Sequence, residues 1–375
     1  VGGAENAVGA LARRIAEIPG WQVCVHATCA TSSTSWTNEE TPGTEYYGSL
    51  PVNRYLVNSG RTEMWPSLDS RVQSGTSSVD PAIQDEFFFH QGPVSNDLAG
   101  AVQASQADLV FFAPYLFWPT MAVAPLVAER AVIIPAAHDE PFLRLSRVGD
   151  LLKQSRGLVY GSRAEQHLLQ RTHPIGHIPS TVLGWGIEPP SATDPELLES
   201  LGLADQPYAL CVGRIEHAKG SLGLVDFWRT LKTRSATNLR LVLVGNPSVE
   251  IGSDDDVLVA RGLSDEAKWS LLHHADFLIN PSALESFSLV LFEAWTAGIP
   301  VLVNAHCETT RTHVAEAQGG LWYRNYPEFE VAVERLASDA GARNYMAKNG
   351  KIYTEANYGW DTLVRRFTEF CEHVA

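Results

Sequence analysis

The sequence predicts an α/β chain of two doubly wound parallel-sheet domains. Three observations carry this reading. Short continuous apolar runs alternate with helix-period stretches for most of the length, as in strands covered on both faces by crossover helices. The runs fall into two series, separated by a Pro-, Ser-, Asp- and Glu-rich stretch at Gly184–Pro207. A chain of 375 residues also suits two domains at roughly 100–200 residues each. The expected boundaries are residues 1–186 for the first domain and 187–357 for the second.

Taken in order, Val8, Leu11, Ile15 and Ile18 recur at spacings of three and four, an amphipathic helix that Pro19-Gly20 ends. Gly2 and Gly3 precede it. A strand–glycine loop–helix unit normally opens an α/β domain, so a short strand is expected ahead of Val1. Trp21–His26 reads as a strand. Ala27–Val79 is rich in Ser, Thr, Gly and Pro and predicts a long irregular stretch with one strand-like piece at Asn53–Asn58. Strands follow at Asp108–Phe112, Ala131–Pro135 and Gly157–Tyr160. The second series runs through Tyr208–Val212, Arg240–Val244, Val257–Ala260, Asp276–Asn280, Pro300–Val303 and Gly320–Tyr323. Helices between them include Ser264–His274 and Ser288–Ala297.

Charge and composition exclude several classes. Apolar residues make up 45% and charged residues 19%, which excludes a disordered chain or a coiled-coil rod. The net charge of −15 argues against nucleic acid as a partner, so any phosphate must be held in a local pocket. No apolar run reaches the ~18 residues of a spanning helix. Arg13-Arg14 is a small basic patch suited at most to weak peripheral contact with a membrane. Five cysteines without metal-ligand spacing predict reduced thiols and a cytoplasmic location. Asp254-Asp255-Asp256 reads as a solvated charge run rather than a metal site, and no metal is expected.

The strand ends carry the chemistry. Asp276–Asn280 runs into Pro281-Ser282-Ala283-Leu284-Glu285-Ser286, and a helix carrying Glu293 about two turns in follows, with Gly298 placed to stop it. The first-turn N–H groups of Phe287, Ser288 and Leu289 would face an anion. A pyrophosphate bound there sets its sugar and ribose near the two glutamates. Directly after Tyr208–Val212, Gly213 permits close backbone approach, and Arg214 and Lys219 reach the same sheet edge as a phosphate clamp. In the first domain, His138 follows the strand Ala131–Pro135 within Ala137-His138-Asp139-Glu140-Pro141.

Together these segments resemble the retaining GT-B glycosyltransferases of glycosyltransferase family 4. The likeness is specific in Glu285-x7-Glu293, in the G-R-x4-K-G run of Gly213–Gly220 and in the second domain's sheet pattern. It extends to Gln91-Gly92-Pro93, to Phe111–Thr120 and to Ala137–Pro141, which look like bacterial members building polysaccharides or natural-product glycans. Gly2-Gly3-Ala4-Glu5 is similar to the family's glycine loop. Tyr358-Gly359-Trp360 and Asp361–His373 are similar to its last helix, placing residues 358–375 back on the first domain. The family often has glycine where Ser288 stands, and Ala27–Val79 matches little of it.

The resemblance implies two domains facing across a cleft and a nucleoside-diphosphate sugar, UDP- or GDP-linked, as donor. Arg214 and Lys219 would neutralise its diphosphate. Glu293 would hold the ribose, Glu285 the sugar hydroxyls, and His138 the sugar from the opposite domain. Backbone near Arg261-Gly262-Leu263 would meet the base, and no catalytic metal would be needed. The acceptor is an unspecified hydroxyl. Among rivals, an epimerase of the same fold would act without acceptor, and a non-catalytic sugar-nucleotide-binding protein would have no physical reason to keep Glu285, Glu293, Arg214, Lys219 and His138 together. A pyridoxal-dependent phosphorylase lacks its lysine context here. A dehydrogenase lacks a G-x-G-x-x-G after any strand.

Overall fold

The computed structural model describes residues 3–75, 78–194, 196–251 and 254–375. Its contacts divide the chain into two compact units, Val1–Gly186 with Trp360–Ala375, and Ile187–Gly359.

The first unit holds two sheets. β1 (Val25–Thr28) pairs in parallel with β3 (Leu50–Tyr55), and β2 (Gly43–Tyr47) pairs antiparallel on β3's other side. β4 (Val110–Phe112), β5 (Ala131–Ile133), β6 (Gly157–Tyr160) and β7 (Ser180–Val182) form a wholly parallel sheet in that order. β5 and β6 are buried throughout, as apolar runs covered on both faces require.

Ala27–Val79 is more ordered than its composition suggests. It contains β2, β3 and the helix Trp65–Gly75. The hairpin turn is Gly48-Ser49, with Gly48 at φ +64, a conformation that glycine supplies without steric cost. Every residue of β2 is exposed, so no buried face imposes the alternation by which a strand is recognised. Trp36 and Tyr55 pin the stretch down: Trp36 Nε1 donates to Gln91 O at 2.8 Å, and the Tyr55 ring stacks on His26. Tyr46 and Tyr47 stay exposed, and the Trp65 ring lies under the Arg61 guanidinium.

The helix Trp360–Val374 completes this unit. Phe367 meets Trp21 and Phe111, and Phe370 lies over Gly157. Arg156 donates to the carbonyl oxygens of Val374 and Ala375. Arg14, one of the two expected surface cations, sits with its guanidinium 5.2 Å over the Trp360 ring. The unit resumes at Trp360, two residues later than expected, because the preceding helix runs on to Tyr358 and Gly359 caps it.

The second unit is one parallel sheet of six strands, β8 (Tyr208–Val212), β9 (Arg240–Val244), β10 (Val257–Ala260), β11 (Phe277–Asn280), β12 (Val301–Asn304) and β13 (Gly320–Tyr323). Their order is β10-β9-β8-β11-β12-β13. The order reverses between β8 and β11, so the crevice outside the carboxyl ends of those two strands is this unit's natural ligand position. The expected linker carries a short helix, Leu197–Ser200, and is tied to the sheet-flanking helix Asp265–His274 by Asp194 N donating to Ser270 Oγ. Four of the five cysteines are buried, and all are free thiols. Among the described residues, no helix is long and apolar enough to cross a membrane.

Candidate functional site

The two loops that leave β8 and β11 meet at the point where the strand order reverses. Backbone contact brings them there. Gly245, after β9, lies so close to Gly213 O that an added Cβ would clash with it, and Gly213 N donates to Val244 O at 3.0 Å. At the other end of the loop, Gly220 has φ +73 and packs on Pro281 O, where a Cβ would sit at 2.7 Å. A side chain at Gly220 would pry the β8 and β11 loops apart, and one at Gly245 would push the β8 loop off the end of β9.

Lys219 stands just before that junction. Its Nζ donates to Glu285 Oε1 at 2.8 Å, and both side chains are half-buried. Arg214 is different: its side chain is 73% exposed and its nearest acid is Glu216, at 3.3 Å. The two cations of the expected clamp thus take different acid partners.

The β11 loop is closed by a residue that sequence reasoning passed over. Asn280, buried at the end of β11, accepts from Ser282 N at 2.9 Å and donates to Ser288 Oγ at 2.8 Å, spanning both ends of the loop. The helix itself begins at Leu289 and ends at Gly298, a left-handed cap, so Glu293 lies one turn in rather than two. Phe287 is not part of its first turn. The Phe287 ring is buried and stacked on Phe292 with centroids 4.3 Å apart, and the residue lies before the N-cap Ser288. Ser288 is the N-cap with φ +73, the left-handed conformation glycine adopts freely. The position where serine departs from the family pattern is therefore one whose backbone favours glycine.

Glu293 Oε1 accepts from Lys268 Nζ at 2.8 Å, and Lys268 also contacts Asp265 Oδ1 at 2.7 Å. Burial pulls the Lys268 pKa down, but Glu293 and Asp265 outweigh it and leave it raised. Lys268 was not legible beforehand, because a lysine on an amphipathic helix reads as a solvated charge. Gly262, after β10, is exposed with φ +62, and Leu263 beside it is half-buried. Asp254 and Asp256 pair with Arg229 and Lys232, both at 2.9 Å.

In the first unit, His138 follows β5. Its Nδ1 is buried 3.5 Å from Glu140 Oε2 without forming a hydrogen bond among the described residues. Tyr115, itself buried, donates its hydroxyl to Glu140 Oε1 at 2.5 Å, and burial raises the Tyr115 pKa well above its ordinary value. Gly3 is the first residue of the helix Gly3–Ala16, whereas Gly2 lies outside the described residues.

Comparison with known proteins agrees with this architecture. Residues 194–353 match the family Glycosyl transferases group 1. A D-inositol 3-phosphate glycosyltransferase of Stackebrandtia nassauensis is 30% identical over 250 residues, covering 60% of this chain and 56% of that protein. The chain spans about half the length of the curated relatives it matches. Among solved structures, sucrose-phosphate synthase of Thermosynechococcus elongatus superposes with a TM-score of 0.72 at 17% identity, covering 100% of this chain and 94% of that one. An E. coli trehalose-6-phosphate structure bound with UDP-2-fluoro glucose gives 0.73 at 12% identity, covering 99% and 96%. These likenesses show a GT-B fold.

Proposed function

We propose that this chain, whose residues 194–353 match the Glycosyl transferases group 1 family, moves a sugar from a nucleoside-diphosphate sugar to a hydroxyl acceptor. The observation that carries the reading is the Lys219–Glu285 pair at the carboxyl ends of β8 and β11. In the transferred bond, C1–O breaks and its electron pair stays on the departing diphosphate, while the sugar becomes oxocarbenium-like. A cation is wanted on the first and a carboxylate beside the second, and this pair supplies both. Lys219, neutralised by Glu285 in the unbound chain, turns to the diphosphate when donor binds. Arg214, exposed, joins it from the loop start, and the helix beginning at Leu289 adds its N-terminal dipole.

Glu293 holds the ribose hydroxyls through the oxygen that Lys268 leaves open, and backbone at Gly262 and Leu263 meets the base. His138 contacts the donor sugar. The acceptor oxygen attacks the face that the diphosphate leaves, its proton passing to the leaving phosphate oxygen, so the anomeric configuration is retained. Cations of the chain supply the charge neutralisation, so no divalent metal is required. The bound UDP-sugar of the E. coli neighbour supports the donor class. The acceptor is a hydroxyl of a glycan, a lipid-linked glycan or a natural product.

A thermal-shift screen with UDP-, GDP- and dTDP-sugars identifies the donor, since a bound ligand raises apparent stability by mass action. The donor found is then incubated with and without acceptor mixtures and EDTA. Transfer that survives EDTA, retains configuration by NMR and is lost in Lys219→Ala supports the reading. Turnover of donor without acceptor identifies an epimerase instead.

A further inference from the structure

Behind His138 lies a carboxyl group that the proposed reaction does not use. Glu165 is 1% exposed, in the first turn of the helix Arg163–Thr172. Ser162-x-x-Glu165 has the form of a capping box, and the side chain does accept from the Ser162 amide. It also does more than cap. Oε1 accepts from Ala137 N at 2.6 Å and Oε2 from Gly161 N at 2.6 Å. Those amides belong to the loops leaving β5 and β6, so one buried carboxyl ties two neighbouring strand ends together. The first tie falls on the residue before His138. The residue before that, Ala136, is held at φ +51, a conformation that a non-glycine residue keeps only where its surroundings impose it.

We infer that Glu165 is the positioning residue for His138, fixing the Ala136–His138 turn through the Ala137 amide so that the imidazole is presented in one orientation. The inference rests on the reading of His138 as a donor-sugar contact. An ordinary helix cap needs only the Ser162 and Glu165 amides. The bond to Ala137 adds nothing to the helix and acts only on the turn that carries the histidine.

The test uses the full chain with Glu165→Gln, His138→Ala and the double variant. Gln can accept from one loop amide but presents an N–H₂ to the other. Amide exchange of Val132 and Leu158 in β5 and β6 reports whether the unit still folds, and Glu165→Asp, a carboxylate one methylene short, is the second variant if it does not. Expected in Glu165→Gln are faster amide exchange at Ala137 and Gly161 and a kcat reduced roughly 10- to 100-fold, the scale of a misplaced catalytic contact. The Kd of the nucleoside diphosphate (UDP, GDP and dTDP each titrated) stays unchanged. The double variant is no slower than His138→Ala alone. Unchanged exchange at Ala137, or a double variant slowed by the product of the two single effects, overturns the positioning role while leaving sugar transfer and His138 intact. A wild-type rate in His138→Ala overturns the reading of His138 and the inference with it.

Discussion

The amide of Asn280 reaches across the whole β11 loop to the hydroxyl of Ser288, 2.8 Å away, and Ser288 is held left-handed at that point. Two opposed effects therefore meet at one residue. The left-handed backbone costs a non-glycine residue about 1–2 kcal/mol, and the hydrogen bond returns about 1 kcal/mol. Ser288→Ala keeps the cost and loses the bond, so it should lower the second unit's stability by about 1 kcal/mol in urea denaturation. Ser288→Gly relieves the backbone and should equal or exceed wild type, against the usual helix-propensity order. An alanine variant more stable than the glycine one contradicts this account.

Lys268 and Glu293 are half-buried partners. Lys268→Met leaves Glu293 and Asp265 facing an apolar chain and should cost about 1–3 kcal/mol. The double variant Lys268→Met with Glu293→Gln should recover part of that loss. Discrimination between a ribonucleoside diphosphate and its 2′-deoxy form should fall in Lys268→Met, because the carboxylate loses its fixed orientation. Calorimetric titration with both nucleotides checks it. Unaltered discrimination would detach Glu293 from the ribose.

Burial raises the Glu165 carboxyl from about 4.5 to about 8, against the pull of the Ala137, Gly161 and Ser162 amides. The folded chain keeps a proton that the unfolded chain releases. Its contribution is full below pH 4.5 and is lost as pH rises to about 8, with a slope of roughly 1.4 kcal/mol per pH unit. Glu165→Gln cannot ionise. The stability of wild type relative to that variant should fall steadily across this window, and a flat difference would count against the buried-acid description.

His313 carries the opposite sign in the other unit. Buried against the rings of Phe287, Phe292 and Tyr358, it is lowered from about 6.5 to about 3 by desolvation. The unfolded chain therefore binds a proton that the folded one refuses. The stability it contributes is present above pH 6.5 and is lost as pH falls toward 3. His313→Gln should lessen that acid sensitivity. Amide exchange of β11 and β12 at neutral and mildly acidic pH reads the difference.

Legibility followed burial. β9, β8, β11 and β12 lie in the interior of the second unit's sheet as continuous apolar runs, and four of that sheet's six strands coincide with their expected limits while the other two shift by one residue. β2 escaped notice because every residue of it is exposed, and β7 because it is three residues long, half-buried and mostly polar. Arg214, Lys219 and Glu285 stood out because they follow strand ends in a chain with few cations, and the structure brings Lys219 and Glu285 into contact; Glu293 stood out by its spacing from Glu285 on the following helix. Lys268, Asn280 and Glu165 did not. Each acts through a partner 8 to 28 residues away, and nothing local distinguishes a lysine that meets a glutamate from one that meets water. Ser162-x-x-Glu165 has the local form of a capping box, which describes only part of what Glu165 does.

The helix Trp360–Val374 belongs to the first unit although the whole second unit separates them in sequence. On a ribosome, Ile187–Gly359 emerges with all its own strands before that helix exists. The surfaces around Trp21, Phe111 and Gly157 must stay unsealed until that helix has emerged. A nascent chain stalled late would thus carry one finished unit and one with an open apolar seam, the form that chaperones and proteases recognise.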